Sequence, residues 1–314
     1  MSQLRTRAIV NPRSAGRRTA ARWPRVAERI EAELGPVETV FTDAPDSATR
    51  LTREALRDGV EQIVAVGGDG TINEVVNGFF DGDEPVNPDA VLAIAVLGTG
   101  GDFRKTLGIG SDVDDFVRRI AAGRVRSVDV GHLRFVDHEG RPATRYFGNI
   151  ASFGLSGEVV AAVNRAGFSK KLGGKFAFQW ASFTSLLRHH DARVRITVDD
   201  DEGRVEESLT IAAVCNGQYF GGGMRIAPDA SPDDGLFDVV TLRDLGVLDF
   251  MRYSGLIYRG EHVHLDRVSI TRGRRIIAEP MNEGEHVLLD VDGEQPGRLP
   301  ATFELRRGAL KIRC

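Results

Sequence analysis

Gly67-Gly68-Asp69-Gly70-Thr71-Ile72-Asn73-Glu74-Val75-Val76-Asn77-Gly78 follows Ile63-Val64-Ala65-Val66, a short apolar run rich in β-branched residues. Such a run suits a buried parallel strand. The glycines at 67, 68 and 70 let the backbone turn sharply and bring its N–H groups close to a ligand. Thr71 is placed to cap a helix through Ile72, Val75 and Val76, with Glu74 at the capping-box spacing. A strand, a glycine turn and a helix N-terminus together favour an anion such as phosphate. Asp69 is the odd member, because an acid among phosphate oxygens repels them unless a Mg²⁺ lies between. Taken alone, Gly-Gly-Asp-Gly also suits a tight turn with an aspartate cap.

Working outward, strand and helix signals alternate through the first 130 or so residues. Ala8-Ile9-Val10 reads as a strand running into the turn-rich Asn11 to Gly16. A helix is expected from Trp23 to Leu34, with Pro24 in its first turn and Val26, Ile30 and Leu34 on one face. Val37 to Thr42 alternates as a strand; Asp46 and Ser47 can cap a helix that turns Leu51, Ala55 and Leu56 inward and ends at Gly59. A fourth strand is expected at Val91 to Val96. Repeated βα units with short links indicate a parallel sheet covered on both faces, with ligands beyond the strand carboxyl ends. Asn11, Thr42, Gly67 and Leu97 fall at those ends.

After about Val125 short strands succeed one another: Ser127–Val130, Tyr146–Ile150, Arg193–Val198, Leu209–Val214, Phe237–Leu242, Val268–Ile270, Val287–Val291 and Thr302–Leu305. Aspartate- and glycine-rich turns separate them, which indicates an antiparallel sandwich-like domain. A helical insertion is expected from Ser169 to His189. It carries Lys170, Lys171, Lys175 and Arg188 beside Phe176, Phe178, Trp180, Phe183 and Leu187. The aromatics suit a core, and the cations beside them also suit docking on an anionic membrane.

The twelve-residue run resembles the nucleotide-binding signature of the diacylglycerol kinase catalytic family, which includes sphingosine and ceramide kinases and bacterial lipid kinases. Leu97-Gly98-Thr99-Gly100-Gly101-Asp102-Phe103 looks like the family's second glycine loop, with Gly101 where Asn is usual. The resemblance implies an α/β ATP-binding domain over 1–128 plus a returning strand at about 306–314. A β-rich lipid-substrate domain over 129–305 follows, with the active site in the cleft between. Carried over residue by residue, the nucleotide set is Asn11, Thr42, Gly68, Asp69, Gly70, Thr71, Ile72, Asn73, Glu74 and Thr99. Asp292-Gly293-Glu294 resembles the family's catalytic triplet: Asp292 is read as the general base and Glu294 as its orienting or metal-side partner. On spacing alone an Asp-Gly at a strand end is most often a hairpin turn. Ala227 to Leu236 resembles a loop holding a structural Mg²⁺, with Asp234 and the Leu236 carbonyl matching and Ser231 where an acid is common; a plain acidic turn suits the same residues equally. ATP and Mg²⁺ are the cofactors so implied, and a lipid hydroxyl is the acceptor.

The 314 residues exceed what one core usually serves, and a net charge of −4 argues against a general nucleic-acid binder. Cys215 and Cys314 make no disulfide framework, which suits a reducing cytoplasm. Met1 to Arg7 lead into no long apolar stretch, position 2 is Ser and not the glycine of myristoylation, and no apolar run reaches spanning length, so neither a secretory signal nor a membrane anchor is expected. A cytoplasmic enzyme meeting its lipid at the membrane surface is therefore expected, with a homodimer left open. Two other readings stay open: a soluble NAD kinase-like enzyme, which would use Asn282-Glu283 to read adenosine, and an inactive nucleotide-binding regulator. The acceptor lipid is not identified by the residues.

Overall fold

The computed structural model describes residues 4–95, 97, 101–166, 191–199 and 205–314. Thr99 and the insertion expected at Ser169 to His189 lie outside the described residues. The chain forms two compact units, Met1–Asp129 with Arg307–Cys314, and Val130–Arg306.

In the first unit the elements are β1 (Thr6–Val10), α1 (Arg18–Leu34), β2 (Val37–Phe41), α2 (Ser47–Arg57), β3 (Gln62–Val66) and α3 (Asp69–Gly78). The small ribbon β4 (Phe80–Asp81) and β5 (Glu84–Pro85) leads to β6 (Val91–Ala95), α4 (Asp102–Thr106) and α5 (Val113–Ala122), before β7 (Val125–Asp137) begins. The parallel order is β2-β1-β3-β6. Val10 pairs with both Phe41 and Val66, and Val66 pairs with Ala95, so all four strands end in one row. Trp23, Val26 and Ile30 of α1 and Phe116, Val117 and Ile120 of α5 bury one face, against Ala8, Val10, Val64, Val66, Ala93 and Ala95. Each such aliphatic side chain contributes about 1.5–3 kcal/mol by leaving water. α1 starts at Arg18, not Trp23, so Pro24 lies inside it. The earlier start is secured by Thr19, fully buried, whose hydroxyl meets that of Ser14 at 2.6 Å.

The second unit continues with β8 (Pro142–Phe147), β9 (Ile150–Gly154), α6 (Leu155–Ala166), β10 (Ala192–Val198), β11 (Val205–Leu209) and β12 (Ile211–Cys215). The short β13 (Tyr219–Phe220) and β14 (Met224–Arg225) precede β15 (Phe237–Leu242), α7 (Val247–Arg259), β16 (Val268–Gly273), β17 (Arg275–Pro280), β18 (Leu289–Val291) and β19 (Gly297–Arg313). One sheet is five-stranded, in the order β16-β15-β12-β9-β18. In the other, β11, β10, β17 and the first part of β19 run antiparallel to one another. Their facing sides share a core of Phe147, Phe153, Phe237 and Phe303 with Val194, Ile196, Val214 and Leu289. Phe147 lies 5.6 Å from Phe237, ring to ring, and 6.4 Å edge-on from Phe303. This is the parallel-sheet unit plus antiparallel sandwich that the alternation and the later strand runs predict.

Two expected strands are each divided. Tyr146–Ile150 breaks at Gly148-Asn149 into β8 and β9, which belong to different sheets. Leu209–Val214 breaks at Thr210, fully buried, whose hydroxyl donates to Asp191 at 2.8 Å and accepts the Leu245 N–H. In both runs apolar continuity hides the turn.

Candidate active site

The common row of strand ends places Asn11, Thr42 and Gly67 side by side, each one residue beyond its strand. Asn11 joins the parts. Its N–H donates to Val66 O at 2.9 Å and its amide to the Thr71 hydroxyl at 2.9 Å, while its Oδ1 accepts the Arg13 N–H. Thr42 donates its N–H to Val10 O. Gly67 cannot be replaced cheaply, since a Cβ there would lie 2.5 Å from Thr71 Cβ. α3 begins at Asp69 with Gly68 as its extended N-cap, so Thr71 is in the first turn and does not cap. The first-turn N–H groups of Asp69, Gly70 and Thr71 have no intrahelical acceptor, which is what makes a helix start attract phosphate.

The capping box expected between Thr71 and Glu74 is not formed. Glu74 Oε2 accepts the Ala48 N–H at 3.0 Å and its carbonyl accepts the Thr49 hydroxyl, so it caps α2 instead. Asp46, expected to share that cap, has φ +61° and makes no capping bond. Ile72 and Asn73 are buried, and Asn73 receives the Asn77 amide. The Ile72 N–H is spent within the helix on Gly68 O at 3.0 Å, so the structure gives neither residue an open group of its own.

Asp69 faces the second glycine loop. Its carboxylate accepts the N–H groups of Gly101 at 2.8 Å and Phe103 at 3.4 Å. Burial raises its pKa and the nearby Asp102 carboxylate adds to that, while the backbone N–H groups oppose it. Gly101 has φ +111°, a conformation in which an asparagine would be strained, so the departure from the family pattern fits the local backbone. Asp102 starts α4 and pairs with Lys105 at 2.6 Å.

In the second unit Asp292, one residue beyond β18, has φ +49°. Its Oδ1 accepts the Ile150 N–H at 2.9 Å and its Oδ2 the Gly148 N–H at 3.1 Å. Both oxygens therefore hold the β8–β9 turn. Glu294 is exposed and closes a small bridge with Val291 through its backbone. Asn282, whose side chain donates to Glu285 within an exposed turn, has no setting for reading a base.

The loop expected to hold Mg²⁺ is arranged differently. Arg272 pairs with Asp234 and, at 3.3 Å, with the buried Asp238. The Ser231 hydroxyl donates to Asp233 at 2.7 Å, and Asp234 Oδ1 accepts the Leu236 N–H at 3.0 Å. Burial raises the pKa of Asp238, and the charges of Asp234 and Asp229 add to this while Arg272 opposes it. A guanidinium thus supplies the positive charge, and a dication beside it would be repelled. Asp234, Leu236 and Ser231 do not fit a resident Mg²⁺, and among the described residues no cluster of three His, Cys, Asp or Glu side chains could hold a metal.

No helix among the described residues is long and apolar enough to cross a membrane. Sequence reasoning missed α4, α5, α6, α7 and β17, and of these α4 carries Asp102 and Phe103 beside Asp69. It also missed Asp290, a buried acid on β18 between core residues.

Residues 5–133 match the diacylglycerol kinase catalytic domain, and residues 149–314 the YegS C-terminal NAD kinase beta sandwich-like domain. The chain is 30% identical over 300 residues to the diacylglycerol kinase of Bacillus subtilis (strain 168), covering 95% of this chain and 92% of that one. A crystal structure of a protein from Bacillus anthracis str. Sterne assigned as a diacylglycerol kinase superposes with a TM-score of 0.79 at 24% identity, covering 100% of this chain and 96% of that one. Yeast NADH kinase complexed with NADH shares the fold more distantly, with a TM-score of 0.52 at 12% identity and coverage of 99% and 83%. With both of its units matched, the chain belongs to the diacylglycerol kinase catalytic-domain family of lipid kinases.

Proposed function

We propose that the chain transfers the γ-phosphate of Mg·ATP to the hydroxyl of a diacylglycerol-type lipid at a membrane surface. The observation that carries this reading is the row of Asn11, Thr42 and Gly67 at aligned strand ends, beside the N-terminus of α3. Asn11, Thr42 and the backbone N–H groups from Gly68 to Thr71 would hold the phosphates, with Asp69 fixing the second glycine loop, where Thr99 would add a hydroxyl. Mg²⁺ enters with the nucleotide as part of the substrate, which places the charge between acid and phosphate that Asp69 calls for.

Transfer of this kind depends on positioning and charge stabilisation more than on covalent help from the protein. The lipid oxygen attacks the γ-phosphorus in line, the bond to the bridging oxygen of ADP breaks, and the hydroxyl proton passes to a carboxylate. Asp292 and Glu294 are the catalytic pair. The two backbone N–H groups on Asp292 favour it as the anchor. The exposed Glu294 is then the proton acceptor, an exchange of the two roles the resemblance implies.

The test is incubation of the protein with Mg·ATP and diacylglycerol in anionic vesicles, with phosphatidic acid measured by mass spectrometry. NAD offered in parallel covers the soluble alternative. Phosphorylation of NAD with none of the lipid would overturn the reading. Nucleotide binding without any transfer would identify a regulator.

A further inference from the structure

Asp290, Asp292 and Glu294 alternate along one short segment, and the first of them has no part in the chemistry assigned above. Asp290 is 7% exposed in a strand whose neighbours Leu289 and Val291 are wholly buried. A carboxyl in such a place costs free energy unless it is hydrogen-bonded. Its Oδ1 accepts the Gly293 N–H at 2.9 Å, and its Oδ2 accepts the hydroxyl of Ser152, its cross-strand partner on β9, at 3.3 Å. The turn it grips is a strained one, with φ +49° at Asp292 and +88° at Gly293. Non-glycine residues keep such conformations only where their surroundings enforce them.

We propose that Asp290 is the positioning residue of the Asp292-Gly293-Glu294 turn, gripping Gly293 from beneath and so fixing where the Glu294 carboxylate is offered. The role rests on the proposed function for its catalytic meaning, and on the hydrogen bonds alone for its place in the turn. The charges that act on it are those of Asp292 and Glu294 on its own segment; α6, which packs on β18, carries Glu158 in its first turn, and β9 brings no ionisable residue. Burial pushes Asp290 up to about 7, with the charges of Asp292 and Glu294 adding to the rise and the Gly293 N–H opposing it. Near neutral pH it therefore carries a proton part of the time, which relieves the crowding of three carboxylates. Above that pH the third charge repels both the turn and an arriving phosphate.

The folded value lies above the ordinary one, so the stability this group contributes is whole below about pH 4 and is lost as pH rises through about 7. Asp290→Asn keeps an oxygen for Gly293 without the charge, whereas Asp290→Leu removes the grip. In melting curves from pH 4 to 8.5 the wild type should fall relative to Asp290→Asn, so that Asn is the more stable above pH 7. In the lipid assay wild-type kcat should decline above pH 7 while that of Asp290→Asn stays flat. Asp290→Leu should lose roughly 10–10²-fold in kcat at unchanged KM for ATP, the size of a misplaced catalytic group. Parallel melting curves for wild type and Asn, or an unchanged kcat in Leu, overturn the proposal. If the Leu variant does not fold, Asn against wild type decides on both readouts. Melting needs no substrate, so a lipid assay that fails while the melting difference persists sinks the proposed function and leaves Asp290 holding the turn.

Discussion

Asp69 and Gly101, 32 residues apart in sequence, are joined by a hydrogen bond of 2.8 Å from the Gly101 N–H to the Asp69 carboxylate. The first residue of α3 is thereby tied to the N-cap of α4, and two glycine loops become one structure. The acid that looks misplaced among phosphates in the sequence has backbone partners of its own.

Asp69→Ala should consequently act through the second loop as well as the first. Loss of the two N–H bonds should lower stability by about 1–3 kcal/mol and weaken nucleotide binding by at least about tenfold, which is 1.4 kcal/mol. Isothermal titration with Mg·ATP, beside thermal melting, measures both. Wild-type affinity in a folded variant would remove Asp69 from the nucleotide site.

The carboxylates of the second unit separate into anchor and acceptor by a pair of substitutions. Glu294→Gln should reduce kcat by about 10²–10⁴, the usual worth of a positioned base, with nucleotide affinity near wild type. Asp292→Asn loses one acceptor for the N–H groups of Gly148 and Ile150 and should show a lower melting temperature as well as slower turnover. A silent Glu294→Gln beside an inactive but fully stable Asp292→Asn would return the base to Asp292.

Arg272 makes a third prediction about the acidic loop. Without nucleotide, Mg²⁺ and EDTA should give the same melting temperature. Arg272→Gln should melt several degrees lower, because the buried Asp238 loses its cation. A wild-type melting temperature that rises with millimolar Mg²⁺ would mean that the metal binds there after all.

Membrane contact is testable from the sequence of the insertion. The protein should sediment with anionic vesicles and not with neutral ones, and binding should weaken with salt, by about 1 kcal/mol for each Lys or Arg removed near the surface. Changing Lys170, Lys171 and Lys175 together to Ser should abolish most of it. Unchanged sedimentation of that variant would take the insertion out of the membrane contact.

The fold class was legible because both halves follow simple periods: apolar runs alternating with helix patterns in one, short strands with frequent turns in the other. Phe237–Leu242 was read with its ends correct, since it is buried throughout and bounded by turns. What failed was local connectivity. Tyr146 to Ile150 reads as one strand, and only the partners of Gly148 and Asn149 divide it. α7 went unread although it carries end signals, Gly246 with Asp249 at its start and Gly260 at φ +76° at its close. In the candidate site, the grouping of Asn11, Thr42 and Gly67 could be read from strand ends. The bonds of Glu74 to Ala48, Asp69 to Gly101 and Arg272 to Asp234 could not, since each joins segments that only the tertiary fold brings together.

β6 borders β3 on one side, and on the other pairs in parallel through Val91 and Leu92 with Lys311 and Ile312 of β19. As the chain emerges from the ribosome, that second border stays open until more than 200 further residues have been made, since residue 91 waits for residue 311. An open strand edge invites pairing with a neighbouring nascent chain. The first unit, although its synthesis begins first, is the last to be complete. Shielding of that edge during translation is therefore a requirement that β19 places on the cell.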